Sequence, residues 1–195
     1  PLGVTDADFA HAHFVEVYNA DLANGFGNAH SRVTNMIAKY FGGSVPEPGP
    51  EAAGEAAGEG VDWAHEVRDR AADAVRAANR SDTGAMLRAG LELSNRVDRF
   101  IGDTRPFTLA KDEANLPRVG TILYQCAEAL RVAAYLLSPA MPAKMCDAIG
   151  RLGYAPREGV GFEELITWGQ LAPGSTVTKG EPLFPRADAE EGAPG

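Results

Sequence analysis

Three things are scarce in this chain, and each scarcity narrows what it can do. Metal-binding patterns are one. The 195 residues include two cysteines and four histidines. Cys126 and Cys146 lack CxxC spacing, and His11, His13, His30 and His65 form no HExxH array. No metal is expected, and both cysteines, set in apolar helical contexts, read as buried free thiols. Long apolar runs are also missing: no stretch reaches the roughly 18 consecutive apolar residues needed to cross a bilayer. Nor does the chain open with the basic-then-apolar pattern of a secretory signal, so no membrane partner and a cytoplasmic location are the default expectations. Positive charge is the third. With 18 Lys and Arg against 27 Asp and Glu, the net charge is −9, which argues against nucleic-acid binding by bulk electrostatics.

The acid is unevenly placed. Glu47, Glu51, Glu55, Glu59, Asp62 and Glu66 sit in or beside one stretch, and Glu158, Glu163, Glu164, Asp188, Glu190 and Glu191 lie toward the C-terminus. Between them Arg68, Arg70, Arg76, Arg80, Arg88, Arg96, Arg99, Arg105, Lys111 and Arg118 bring the middle of the chain close to balance. A locally neutral surface can still hold a few unpaired bases, because stacking and hydrogen bonds specify them more than charge does.

What is plentiful is apolar periodicity at helical spacing. With 45% hydrophobic and 23% charged residues, the composition fits one globular domain with a real core. A first helix is expected from near Phe9, capped by Asp6 or Asp8, to Gly42-Gly43, in a chain whose first residues read as cut from something longer. Its inward face comprises Phe14, Tyr18, Leu22, Gly25, Ala29, Val33, Met36, Ile37 and Tyr40. Residues 44–60, SVPEPGPEAAGEAAGEG, hold no apolar side chain larger than Val45 and read as a flexible loop. A second helix follows from Val61 to about Ala78. A third, capped by Ser81 or Asp82, runs to about Gly102 with Ala- and Gly-rich faces that imply close crossings. Pro106 breaks the pattern, so 104–109 reads as a loop. Pro117 opens a fourth helix, the most apolar, which ends at Ser138-Pro139, and Pro142 opens a fifth that closes at Gly153. Phe162 to Leu165 suggests a helical turn, Gly174 to Phe184 a short extended hairpin, and residues 187–195 a disordered tail. The expected architecture is all-α, a bundle of about five helices over residues 1–186.

The first helix also carries a polar stripe. Asn24, Asn28 and Arg32 recur every fourth residue and form one row of amides beside a guanidinium fork, groups able to read base edges and phosphates. A solvated polar face has the same spacing. The segment containing them, NADLANGFGNAHSRVTNMIAKYF at 19–41, resembles the first helix of the anticodon-binding domain of bacterial methionyl-tRNA synthetases. FIGDTRPFTLAKD at 100–112 resembles the loop in which that family presents an aromatic residue to the anticodon, and KGEPLFPR at 179–186 resembles its closing segment. Three ordered matches spanning about Phe9 to Arg186 are far more specific than one short pattern.

The resemblance implies an anticodon-binding domain of a class I methionine–tRNA ligase, an enzyme that attaches methionine to tRNA using ATP with magnesium. Asn24, Asn28 and Arg32 would contact the methionine tRNA anticodon and Phe107 would stack on its first base. Phe107 stands where the family usually has Trp, and Ile101-Gly102-Asp103 where it usually has Ile-Asp-Glu. The HIGH-type and KMSKS-type motifs of such a synthetase do not occur, so no catalytic residue and no cofactor are expected in this chain, whose partner would be the catalytic domain of the same enzyme. Nothing implies a dimer, so a monomer is expected. A helical protein-interaction adaptor, or the anticodon domain of a sister class I synthetase such as the leucyl or valyl enzyme, shares the architecture.

Overall fold

The computed structural model describes residues 10–49, 61–156 and 159–188. Helices account for all the regular structure there: α1 (His11–Val17), a π-helical stretch (Tyr18–Gly27), α2 (Asn28–Tyr40), α3 (Trp63–Asn79), α4 (Thr83–Thr104), α5 (Pro106–Leu109), a 3₁₀ turn (Glu113–Asn115), α6 (Leu116–Leu137), α7 (Pro142–Arg151) and α8 (Phe162–Leu165). The five expected helices are present, with α1, the π stretch and α2 forming the first. Ala10 caps α1 without a side-chain hydrogen bond, and the expected capping residues Asp6 and Asp8 lie outside the described residues.

The starts of α3 and α4 follow from capping chemistry. Asp62 accepts from the His65 amide at 3.0 Å and Asp82 from the Ala85 amide at 2.9 Å, each satisfying a donor the helix cannot. The most apolar helix, α6, is central. Every residue from Val119 to Leu137 is buried, and each large aliphatic side chain among them stabilises the fold by about 1.5–3 kcal/mol. Gly90 sets the crossing of α4 on α6: a Cβ there would stand 2.9 Å from Leu137 Cγ and 3.1 Å from the Ala133 carbonyl oxygen. The buried face of α3 comprises Trp63 and Val67 followed by the small residues Ala71, Ala74 and Ala77.

Two charges lie inside α6. Glu128 and Arg131 are both 0% exposed and paired at 2.7 Å. The Glu128 carboxylate also accepts the amides of Gly169, Gln170 and Leu171 at 2.7–3.0 Å. Arg131 donates to the carbonyls of Leu165 and Thr167 at 2.5 and 2.6 Å, and its guanidinium stacks on Tyr154 at 4.8 Å. The pair thus fixes the chain after α8 onto the central helix.

Several expectations are corrected. Gly174 to Phe184 forms no hairpin; it starts extended and pairs with the chain after α2. Val45 donates to the Ser175 carbonyl at 2.9 Å, Gly174 to Val45 at 2.8 Å and Val177 to Gly43 at 2.7 Å, with one antiparallel bridge between Ser44 and Thr176. A lone two-stranded ribbon is marginal in water, whereas this pairing is anchored on the bundle by Val45 and Val177, 2% and 5% exposed. The same contact holds the start of the loop expected to be flexible: Val45 is 2% exposed and the Gly49 amide donates to Thr121 Oγ1 at 2.9 Å. The rest of that loop, 50–60, lies outside the described residues, as does the expected disordered tail from 189. Ala187 is held, exchanging hydrogen bonds with the Asn19 side chain at 2.8 and 3.0 Å. Of the two cysteines expected to be buried, Cys126 is buried, its thiol pKa pushed up by desolvation, but Cys146 is exposed. On the amphipathic α7, Met145 and Ile149 take the inward face and Cys146 falls outside it.

Candidate nucleic-acid interface

The Tyr18–Gly27 stretch widens the helix so that backbone bonds reach back five residues. Its glycines permit this. A Cβ at Gly27 would approach the Leu22 carbonyl oxygen, five residues back, at 2.9 Å, and one at Gly25 the Ala20 oxygen at 3.2 Å. A strict four-residue stagger therefore does not hold from Asn24 to Asn28. The widened turn also swings Phe26, absent from the expected inward face, fully into the core, while Phe14, expected there, is 54% exposed.

Asn24 and Asn28 nonetheless share one pocket. It measures about 280 Å³ and is lined on one side by Ala23, Asn24, Gly27, Asn28 and Ser31 and on the other by Pro182 to Arg186. The closing segment reaches it because Phe184 packs against Gly27 and sits edge-on to Phe26 at 6.4 Å. Further back, Arg151 clamps the segment: chelated by Asp147 at 2.8–2.9 Å, it donates to the Glu181 carbonyl at 2.6 Å. Arg186 Nε donates to Asn24 Oδ1 at 3.2 Å, which leaves the Asn24 amide NH₂ available. Asn28 is exposed.

Arg32 lies outside that lining. Its Nη1 pairs with Asp98 of α4, the two side chains 34% and 42% exposed. One side of a planar fork is thereby fixed and the rest remains presentable. The first helix and α4 run in the same direction here. Tyr18 and Leu22 share a pocket with Leu91, a Cβ on Gly25 would stand 3.7 Å from Asn95 Oδ1, and Arg32 meets Asp98. The row of Asn24, Asn28 and Arg32 therefore points toward the end of α4.

Phe107 stands just beyond that end. From Asp98 to the last residue of α4, Thr104, the helix rises about 9 Å. Arg105 then adopts a left-handed conformation, φ 46° and ψ 56°, and Pro106 starts α5. The stretch read as a loop is thus a strained residue followed by one helical turn. A non-glycine residue held there costs on the order of 1–3 kcal/mol and such strain gathers at binding sites. It turns Phe107 outward, 46% exposed. Phe107 does not line the Asn24–Asn28 pocket.

No family model matches the chain. The methionine–tRNA ligase of Thermotoga maritima is 38% identical over 191 residues, covering 95% of this chain and 28% of that protein. That of Streptomyces coelicolor is 35% identical, covering 96% and 35%. The free-state structure of Mycobacterium tuberculosis methionyl-tRNA synthetase superposes with a TM-score of 0.75 at 28% identity, covering 94% of this chain and 36% of that one. The chain belongs to the methionyl-tRNA synthetase family. It spans between 28% and 35% of the length of the two ligases.

Within this synthetase unit, the described residues contain no cluster of three or more His, Cys, Asp or Glu able to hold a metal ion, and no helix long and apolar enough to cross a membrane. The sequence pattern missed Asp98 and Arg186. Arg32 and Asp98 are 66 residues apart and Asn24 and Arg186 are 162 apart, so no local spacing could pair them. The arrangement offers amide and guanidinium donors on a helix, with an exposed aromatic ring farther along the same side.

Proposed function

We propose that this unit reads the anticodon of methionine tRNA for a methionine–tRNA ligase, whose remaining part activates methionine with ATP and magnesium. The observation that carries the reading is the row of available polar groups, Asn24, Asn28 and Arg32, directed toward the outward-turned Phe107. Asn24 and Asn28 supply donors and acceptors to base edges, Arg32 a fork for a base or phosphate, and Phe107 a stacking face. Unpaired loop bases are recognised by these means, which suits a chain of net charge −9. A synthetase neighbour in complex with methionyl-adenylate supports ATP as the reagent of the whole enzyme. The chain itself is read as a cytoplasmic monomer without cofactor, inactive alone in methionine-dependent ATP–pyrophosphate exchange.

Filter binding tests the reading. Initiator and elongator methionine tRNAs should bind this chain more tightly than a tRNA of another specificity at the same salt. Equal retention of all three would contradict it and favour a helical adaptor.

A further inference from the structure

We infer that a second, adjacent site on this unit holds the sugar–phosphate backbone of the same RNA: the pocket lined by Arg70, Glu92, Asn95, Arg96 and Arg99 in the groove between α3 and α4. The inference rests on the anticodon reading and extends it from bases to backbone. Three guanidinium groups converge on about 180 Å³, and they are held differently. Arg70 is committed to carboxylates, pairing with Glu66 at 3.0 Å and with Glu92. Arg96 shares the pocket with Glu92 but forms no salt bridge among the described residues; its guanidinium lies over the buried Trp63 ring at 5.9 Å, an arrangement that fixes position without neutralising charge. Arg99 is exposed, with no salt bridge among the described residues. Counting Glu66 and Glu92 against the three arginines leaves one positive charge in excess, in a chain that is −9 overall.

Position selects the ligand. Asn95, in the wall of this pocket, is the residue nearest Gly25 across the helix crossing, and Gly25 follows Asn24. Asp98, which orients Arg32, immediately precedes Arg99. The pocket therefore borders the reading row along α4. RNA whose bases meet Asn24, Asn28 and Arg32 has its phosphates within reach of Arg96 and Arg99, and planar guanidinium forks match phosphate oxygens in bidentate geometry. Backbone contacts of this kind position the ligand and carry no sequence information.

The test is binding of methionine tRNA and of a non-cognate tRNA to this chain over a range of salt, for Arg99→Ala, Arg99→Lys, Arg96→Gln and the control Arg32→Ala. Loss of one single-strand phosphate contact should lower the slope of log affinity against log salt by about 0.7. Arg99→Ala should show that drop and weaken both tRNAs by a similar factor of roughly 3–10, leaving their ratio unchanged. Arg99→Lys should recover most of the slope, and Arg96→Gln should behave like Arg99→Ala with thermal unfolding checked in parallel. If Arg32→Ala abolishes discrimination while Arg96 and Arg99 variants keep the wild-type slope, the backbone site is wrong and the anticodon reading stands. If wild type itself fails to discriminate, the anticodon reading falls, and the backbone site with it.

Discussion

The two arginines that define this molecule sit in opposite circumstances. Arg131, in the middle of α6, is sealed from solvent, and its carboxylate partner, two carbonyls and an aromatic face account for its charge. Arg32, on α2, has one partner and a third of its side chain in water. The first pattern is that of a fixed structural node, since a buried charge is tolerable only when every group around it is matched. The second leaves hydrogen-bonding capacity for something outside the chain. The contrast extends to the helices carrying them: α6 is enclosed on all sides from Val119 to Leu137, whereas the first helix is buried on one side and keeps two asparagines exposed on the other.

Breaking the sealed node should have the largest effect. Glu128→Ala strands the Arg131 charge and three backbone amides, so a loss of about 3–5 kcal/mol is expected in denaturant unfolding. A change below 1 kcal/mol would mean that the node contributes little. Next comes pH. His30, buried against the Ala148 carbonyl at 3.0 Å, has its pKa lowered from 6.5 to about 4 mainly by desolvation. The unfolded chain therefore binds the extra proton first, and stability is full above pH 6.5 and declines as pH falls toward 4. The loss approaches about 3 kcal/mol from this group alone, read as a fall in the unfolding midpoint that His30→Gln should flatten. Smallest in stability is Phe107→Ala. At 46% exposure it should cost under about 1 kcal/mol of folding, against the 3–5 kcal/mol of a core phenylalanine, while weakening methionine tRNA binding by about 1–3 kcal/mol. Phe107→Trp should keep or improve that binding. A large fall in midpoint with unchanged binding would assign Phe107 to the core.

How far the sequence displays these two environments differs between them. The helices were legible where their starts rest on local chemistry, Asp82 as a cap and Pro142 at the first turn of α7, and α3 by its apolar period alone, its Asp62 cap appearing only in the structure. Asn24, Asn28 and Arg32 stood out as a repeat, although the π-helical stretch breaks its strict stagger and Arg32 lies outside the pocket that the two asparagines share, and Phe107 stood out as an aromatic beside proline. Three features were less legible. The π-helical stretch is marked in the sequence only by Gly25 and Gly27, whose cost inside a helix implies close packing or a local bend; their closeness to carbonyls five residues back appears only once the helix is built. The docking of Gly174 to Val177 on Gly43 to Val45 is a long-range backbone pairing that no periodicity announces. Glu128 and Arg131, three residues apart on a helix, look like an ordinary surface pair. Their burial comes from the chain after α8, which folds over them.

The central claim is that base reading belongs to the half-open arginine and its row. It is tested most directly by measuring affinity for methionine tRNA and for the same tRNA with its anticodon bases exchanged, using wild type and Arg32→Ala at one salt concentration. The account predicts that wild type prefers the native anticodon by roughly 5- to 150-fold, the 1–3 kcal/mol of a bidentate contact, and that Arg32→Ala removes most of that preference while unfolding within about 1 kcal/mol of wild type. Equal affinity of wild type for both anticodons, or a preference that survives Arg32→Ala intact, would contradict it.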